Sequence, residues 1–181
     1  MTLVLPPDLE LWLTAYLRDA LAAEGLDVEV DSKEPTDLTT PLERPLVVVR
    51  DDSGARTSRV SFSRQVGVSV LAGTRMNDSE ARHLSRLVYS IATDDEITLA
   101  AGSPIAAVIS SGCNGPYPVE DAQDVSRRYS TLSYRVVGHL VAHPTPQHHS
   151  LRPAPDRGTG LPHERKPQWR STPPTTTTST R

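Results

Sequence analysis

The sequence predicts an α+β fold: a twisted, mostly antiparallel sheet with two main helices packed on one face, plus an extended Pro-rich C-terminal arm. Three observations predict it. Two segments repeat apolar residues at helical spacing, and the stretches around them alternate apolar and polar residues or carry short valine runs. The character of the chain then changes after Val141. The expected order is helix, three or four strands, helix, two strands. Adjacent strands joined by short turns give an antiparallel or mixed sheet, and helices gathered on one side of it define the class.

The first helix follows Pro6 and Pro7, with Asp8 placed to cap it. Leu9, Trp12, Leu13, Tyr16, Leu17, Ala20 and Leu21 recur at spacings of three and four, which puts them on one apolar stripe. Gly25 supplies the stop, because glycine takes the left-handed cap without steric cost. The second helix is expected to start at Asn77, with Glu80 completing a capping-box-like spacing. Ala81, Leu84, Leu87, Val88 and Ile91 make its buried face, Arg82, His83 and Arg86 point away, and it ends near Thr93, Asp94 and Asp95.

Strands fill most of the remainder. Val28 and Val30 alternate with acidic residues. Leu46, Val47, Val48 and Val49 form a short apolar run, and Asp51, Asp52, Ser53 and Gly54 read as the turn after it. Val60 and Phe62 alternate with Arg59, Ser61 and Ser63, and Val66, Val68 and Val70 alternate with Gly67 and Ser69. A strand is expected over 105–109. The longest is expected from Arg128 to Val141, with Leu132, Tyr134, Val136 and Leu140 on one face. No internal repeat is visible.

Residues 1–141 therefore read as one domain and 142–181 as a Pro/Thr-rich basic arm. Eight of the sixteen prolines fall in the arm, which ends in a threonine run. A segment this rich in proline and this poor in apolar residues builds no core of its own, so any order it has comes from lying along something else. The arm carries six basic and two acidic residues, a charge of +4. The other 13 basic and 20 acidic residues give the body −7, a split that the total of −3 hides. An acidic body with a basic arm points to docking of the arm on an acidic neighbour, such as another copy, against the plainer reading of a solubilising tail. Nucleic acid fits the arm less well, since its charges are spread thinly and Trp169 is its only aromatic.

A body of this length buries one core. Aromatics are only 4% of the chain, a modest core that association with other subunits would reinforce. Cys113 is the only cysteine, so no intrachain disulfide forms. The N-terminus shows no basic region followed by an apolar run, and no apolar run nears the ~20 residues of a membrane span, so synthesis in a cytoplasm is expected.

Four segments carry a resemblance: LPPDLELWLTAYLRDAL near the start, GVSVLAGTRMNDSEARHLSRLVYSI in the centre, the loop NGPYPVEDA, and the closing RRYSTLSYRVVGHLV. In this order, over residues 3–141, they resemble tail terminator proteins of long-tailed phages that infect actinobacteria, similar in fold to the lambda-type terminator. The resemblance implies a small α+β structural subunit of the virion, made in the host cytoplasm. It implies a homo-oligomer, a hexameric ring on the head-proximal end of the tail tube. That ring stops tube polymerisation and joins the head, with the tail tube protein and a head-completion or connector protein as partners. Genomic DNA would pass through the lumen without specific binding, which an acidic bore favours. The arm lies outside the resemblance.

A terminator must match the last tube ring on one side and present a different surface on the other, because identical stacking contacts do not close. Candidate contact residues are Asp51, Asp52 and Arg56 in the turn projecting from a hairpin, Arg75 before the second helix, Tyr117 in the loop 110–122, and Trp169 in the arm. Each has a plainer reading, from solvated loop charge to packing over a sheet end. Enzyme readings are poor. Cys113 with His139 as base lacks a third activating group. Ser110, Ser111 and Gly112 do not make a nucleophile elbow. The residues 112–116 lack the lysine of a phosphate loop. His139, His143, His148 and His149 fit no ligand spacing. No catalytic, cofactor or metal site is assigned. The alternatives are another neck component, a head-completion or connector subunit, and then a small cytoplasmic enzyme or ligand-binding domain.

Overall fold

The computed structural model describes residues 2–142; the arm beyond them, with Trp169, lies outside the described residues. The fold is α+β. The first helix, α1 (Leu9–Ala23), begins at Asp8, whose carboxylate accepts from the Leu11 N–H at 3.0 Å. It ends as Gly25 enters the left-handed region (φ 75°), with Gly25 N–H donating to Ala22 O and Leu26 N–H to Leu21 O. This pair of bonds satisfies carbonyls that a helix end otherwise leaves orphaned. Leu9, Leu13, Leu17 and Leu21 of the stripe are fully buried. Each stabilises the fold by about 1.5–3 kcal/mol relative to exposure. Trp12 and Tyr16 stack at its border, ring centroids 5.1 Å apart.

The main sheet is mixed. Strand β2 (Glu29–Asp31) runs parallel to β3 (Leu46–Asp51), which pairs antiparallel with β4 (Ser61–Ala72). Helix α2 (Ser79–Thr93) follows, then a 3-10 turn (Asp95–Leu99) and β5 (Ile105–Val108). Strand β6 (Asn114–Val119) leads into β7 (Ser126–Val137). The order is β2-β3-β4-β7-β5, with β6 also on β7. The β4–β7 ladder pairs all twelve residues of each strand and is the spine of the sheet. Helix α1 packs on β2 and β3, α2 packs on β4 and β7, and the helices touch each other. Between helices and sheet lies the main core, in which Val47, Val49, Val66, Val68, Leu132 and Tyr134 meet the α1 leucines and Leu84, Val88 and Ala92. A smaller cluster of Leu46, Leu71 and Val125 lies on the opposite face, under Leu38 and Leu42.

Several sequence expectations need correction. Helix α2 starts at Ser79, after Asp78 rather than Asn77, because Asn77 closes a tight turn with Thr74 through backbone bonds in both directions. The two alternating runs at 60–63 and 66–70 are one strand, β4. The turn expected at 51–54 is a bulge, since Ser53 takes φ 80° and Gln65 N–H reaches its carbonyl. The hairpin closes further out, where Thr57 and Ser58 both donate to Ser61 O. The segment expected to be a loop at 110–122 contains β6. The long final strand is broken at Gly138: β7 stops at Val137, and β8 (His139–Ala142) turns away to pair with β1 (Thr2–Leu5), a strand the sequence reading omitted. Leu140 is accordingly 67% exposed instead of sharing the buried face of Tyr134. Strand β8 also runs one residue into the predicted arm.

Candidate assembly interface

Alternation along the long strands separates two faces. Leu132, Tyr134 and Val136 of β7 point to the helices and are buried, so Tyr129, Thr131, Ser133 and Arg135 point to the opposite side. The register aligns Arg50, Gly67 and Thr131 in one row across β3, β4 and β7, and Val48, Ser69 and Tyr129 in the next. Apart from the Leu46, Leu71 and Val125 cluster, this second face is polar. One part is roofed by the segment 32–45, and Gly112 approaches Ser133 on another.

On the part that no other described segment roofs, Asp52 is held from two directions. Arg50 Nε donates to its Oδ1 at 2.7 Å and the Tyr129 hydroxyl donates to its Oδ2 at 2.9 Å. Tyr117 of β6 closes edge-on against Tyr129, centroids 5.8 Å apart. Gly67 makes this possible, since a Cβ there would come within 2.2 Å of the Tyr129 hydroxyl. Burial pushes the Asp52 carboxyl up, but the bonds from Arg50 and Tyr129 and the Arg50 charge outweigh it, and the group titrates below its ordinary value. Tyr129 is pushed up by burial and then by the carboxylate it serves. The bond to Asp52 raises Arg50 further, so the trio is an ion pair with a neutral phenol at neutral pH.

A second cluster borders it. Arg127 forks onto Glu34 (2.6 and 2.9 Å) and donates through Nε to Asp121 at 2.6 Å. Its guanidinium thus ties the 32–45 segment and the β6–β7 turn to the sheet. Hydrogen bonding to Glu34 raises Arg127. At Asp121 burial acts upward but loses to bonds from the Gln123 N–H and Arg127, leaving the carboxyl low. A cleft of about 460 Å³ opens beside this cluster, lined by Arg75, Asp78, Val119, Asp121 and Arg127 among others. Asp78 accepts from Arg82 and from Arg128 (2.7 and 2.8 Å), bonds that hold it below the usual carboxylate range.

The structure brings Asp52 and Tyr117 together through Tyr129. Asp51 does not join them. One residue earlier on the strand, it faces the helix side and pairs with Arg64, while its N–H donates to Glu10 at 3.0 Å. Arg56 folds back on its own hairpin, donating to the Ser58 and Arg59 carbonyls and lying 5.6 Å from the Phe62 ring centre. Arg75 is exposed at the cleft, anchored by its N–H to Asp124. Trp169 is outside the described residues. Sequence reasoning missed Arg50, Tyr129 and Arg127. The signal was present in the alternation of RRYSTLSYRV, which sets Tyr129 on the face opposite Tyr134. Cys113 Sγ accepts from Ser133 N–H at 3.4 Å and lies 3.5 Å from Ile109 O.

Among the described residues, no group of three or more His, Cys, Asp or Glu is arranged to hold a metal ion, and no helix is long and apolar enough to cross a membrane. Comparison of the chain with models of known protein families gives no match. Comparison with curated proteins likewise gives none.

Proposed function

We propose that this chain is a structural virion subunit that caps the head-proximal end of a phage tail tube as a ring, stops tube polymerisation and offers the surface for head joining. The observation that carries the reading is the sheet face that no other described segment roofs. There Arg50, Asp52, Tyr129 and Tyr117 are fixed on rigid strands and spread over a surface, an arrangement suited to docking a protein rather than enclosing a substrate. The ordered resemblance over residues 3–141 supplies the specific role, and the α+β body with helices on one side agrees with the fold that the resemblance implies. The partners proposed are further copies of the chain, the tail tube protein and a head-completion or connector protein, with DNA passing through the lumen.

The test is electron microscopy of particles from a phage carrying a stop codon early in this gene. The expected picture is filled heads beside detached tails of irregular or excessive length. Detached tails of uniform normal length beside leaking or empty heads would overturn the terminator role and move the protein to the head side of the neck.

A further inference from the structure

A groove of about 240 Å³ runs between α1 and the residues that follow the 3-10 turn. Trp12, Ala15, Tyr16 and Asp19 form one wall, and Ala100 and Ala101 form the other. Trp12 and Tyr16 stand one helical turn apart with their ring planes only 11° from parallel, so the helix wall is an aromatic slab. Both rings are only partly buried, and Ala15 and Ala101 are exposed. Leu99, next to the second wall in the chain, is 85% exposed. A half-open aromatic slab beside a large exposed aliphatic side chain is a surface that a partner completes.

The charge around the groove is one-sided. Asp19 lines it, and no arginine or lysine does. Asp94 and Glu96, at the 3-10 turn, lie near enough to act on Tyr16: after burial, their charges push its phenol up. Carboxylates from α1 and from the 3-10 turn therefore border the aromatic pair. What fits is an extended segment that brings proline rings to the slab and cations to the rim. Proline rings pack on aromatic surfaces, and a polyproline helix loses little entropy on docking because its φ angles are already fixed.

We propose that this groove receives residues 151–157 of a second copy of this chain, with Pro153 and Pro155 against Trp12 and Tyr16 and with Arg152 and Arg157 reaching the rim carboxylates. Two arguments select this occupant. The two arginines outnumber the one acid of the segment, Asp156, and flank the proline pair, which complements the acidic rim. Only eight residues separate the segment from Ala142 at the end of β8. Extended, they span about 25 Å, enough to leave one copy and reach the next. The inference goes beyond the tail role and requires only that copies of the chain meet.

The experiment is calorimetric titration of a synthetic peptide of residues 149–159 into full-length protein carrying Arg152→Gln, Pro153→Ala, Pro155→Ala and Arg157→Gln, so that its own segments do not compete. Saturable binding is expected. The same peptide with both prolines changed to alanine should bind at least about tenfold more weakly, which separates proline recognition from charge alone. Salt at about 0.5 M and Asp19→Asn in the protein should each weaken binding severalfold. Ala15→Lys puts a long cation into the groove from an exposed helix position that lysine suits, so it should abolish binding while the fold persists. No binding, equal binding by the proline-free peptide, or binding indifferent to Ala15→Lys would overturn the proposal. Sedimentation of the native chain should show concentration-dependent association that Ala15→Lys weakens. A native chain that stays monomeric at every concentration would overturn the assignment to a second copy.

Discussion

Gly67 shows how one residue sets the character of the sheet face. A methyl group there meets the Tyr129 hydroxyl and the Asp52 carboxylate, both at the ends of side chains that can swing away. Gly67→Ala should therefore cost little stability but unseat the Arg50–Asp52–Tyr129 trio. The expected result is a melting temperature within a few degrees of the parent and weaker self-association in sedimentation. Unchanged association would remove the trio from the interface. Tyr134 makes the opposite case. It is fully buried, its hydroxyl donates to Ala92 O at 2.7 Å, and burial drives its ionisation far up. That bond satisfies a carbonyl in the last turn of α2. Tyr134→Phe should lower unfolding free energy by about 1–2 kcal/mol with an unchanged denaturant slope. Both tyrosines were readable as members of a strand. Only the alternation, followed on both faces, separates the core residue from the surface one, and contacts such as Tyr129 to Asp52 join positions too distant for local pattern to link.

Elements with strong local chemistry were legible, and those defined by distant pairing were not. Helix α1 announces itself through Asp8, the leucine stripe and Gly25, all within the element or directly beside it. Strand β1 has four residues, and its partner lies at the far end of the body, so nothing nearby marks it. Strand β6 is disguised by Gly115, Pro116 and Pro118, which normally punctuate loops. It is held by β7 all the same, because it is an edge strand and needs only one neighbour. The break at Gly138 follows from space rather than from turn chemistry. A Cβ there would stand 2.4 Å from Leu5 O and 2.8 Å from both Phe62 and Val4. Gly138→Val should force the β1–β8 ribbon off the body at a cost of about 1–3 kcal/mol. A two-stranded ribbon has little stability alone. Hydrogen exchange in β1 and β8 should therefore accelerate far more than in the β4–β7 ladder. Uniform acceleration throughout would show that the ribbon and the body unfold as one unit.

For the whole molecule, the acidic composition that reads as a simple count in the sequence becomes a set of carboxylates with different duties. Asp52, Asp78 and Asp121 are each held below the ordinary aspartate value by arginines and, at Asp52 and Asp121, by other donors as well. A carboxyl with a folded pKa below its unfolded one adds stability that is present above the unfolded value, about 4, and lost as pH falls through the folded value. The melting temperature should therefore be nearly level from neutral pH to about 5 and decline below about 4. Asp52 and Asp78 are open to solvent, so their contributions are modest and screened, while the Asp121 side chain is only 12% exposed; the loss begins for all three below the same unfolded value. A variant with Asp52→Asn and Asp121→Asn should melt lower than the parent at pH 7, and the gap should close as pH falls below the unfolded value and through the folded values, because the parent then loses the same charges. Parallel melting curves across the whole range would mean that these pairs orient the sheet face and the 32–45 segment without stabilising the fold. The acid sensitivity would then have to come from other carboxylates of the body.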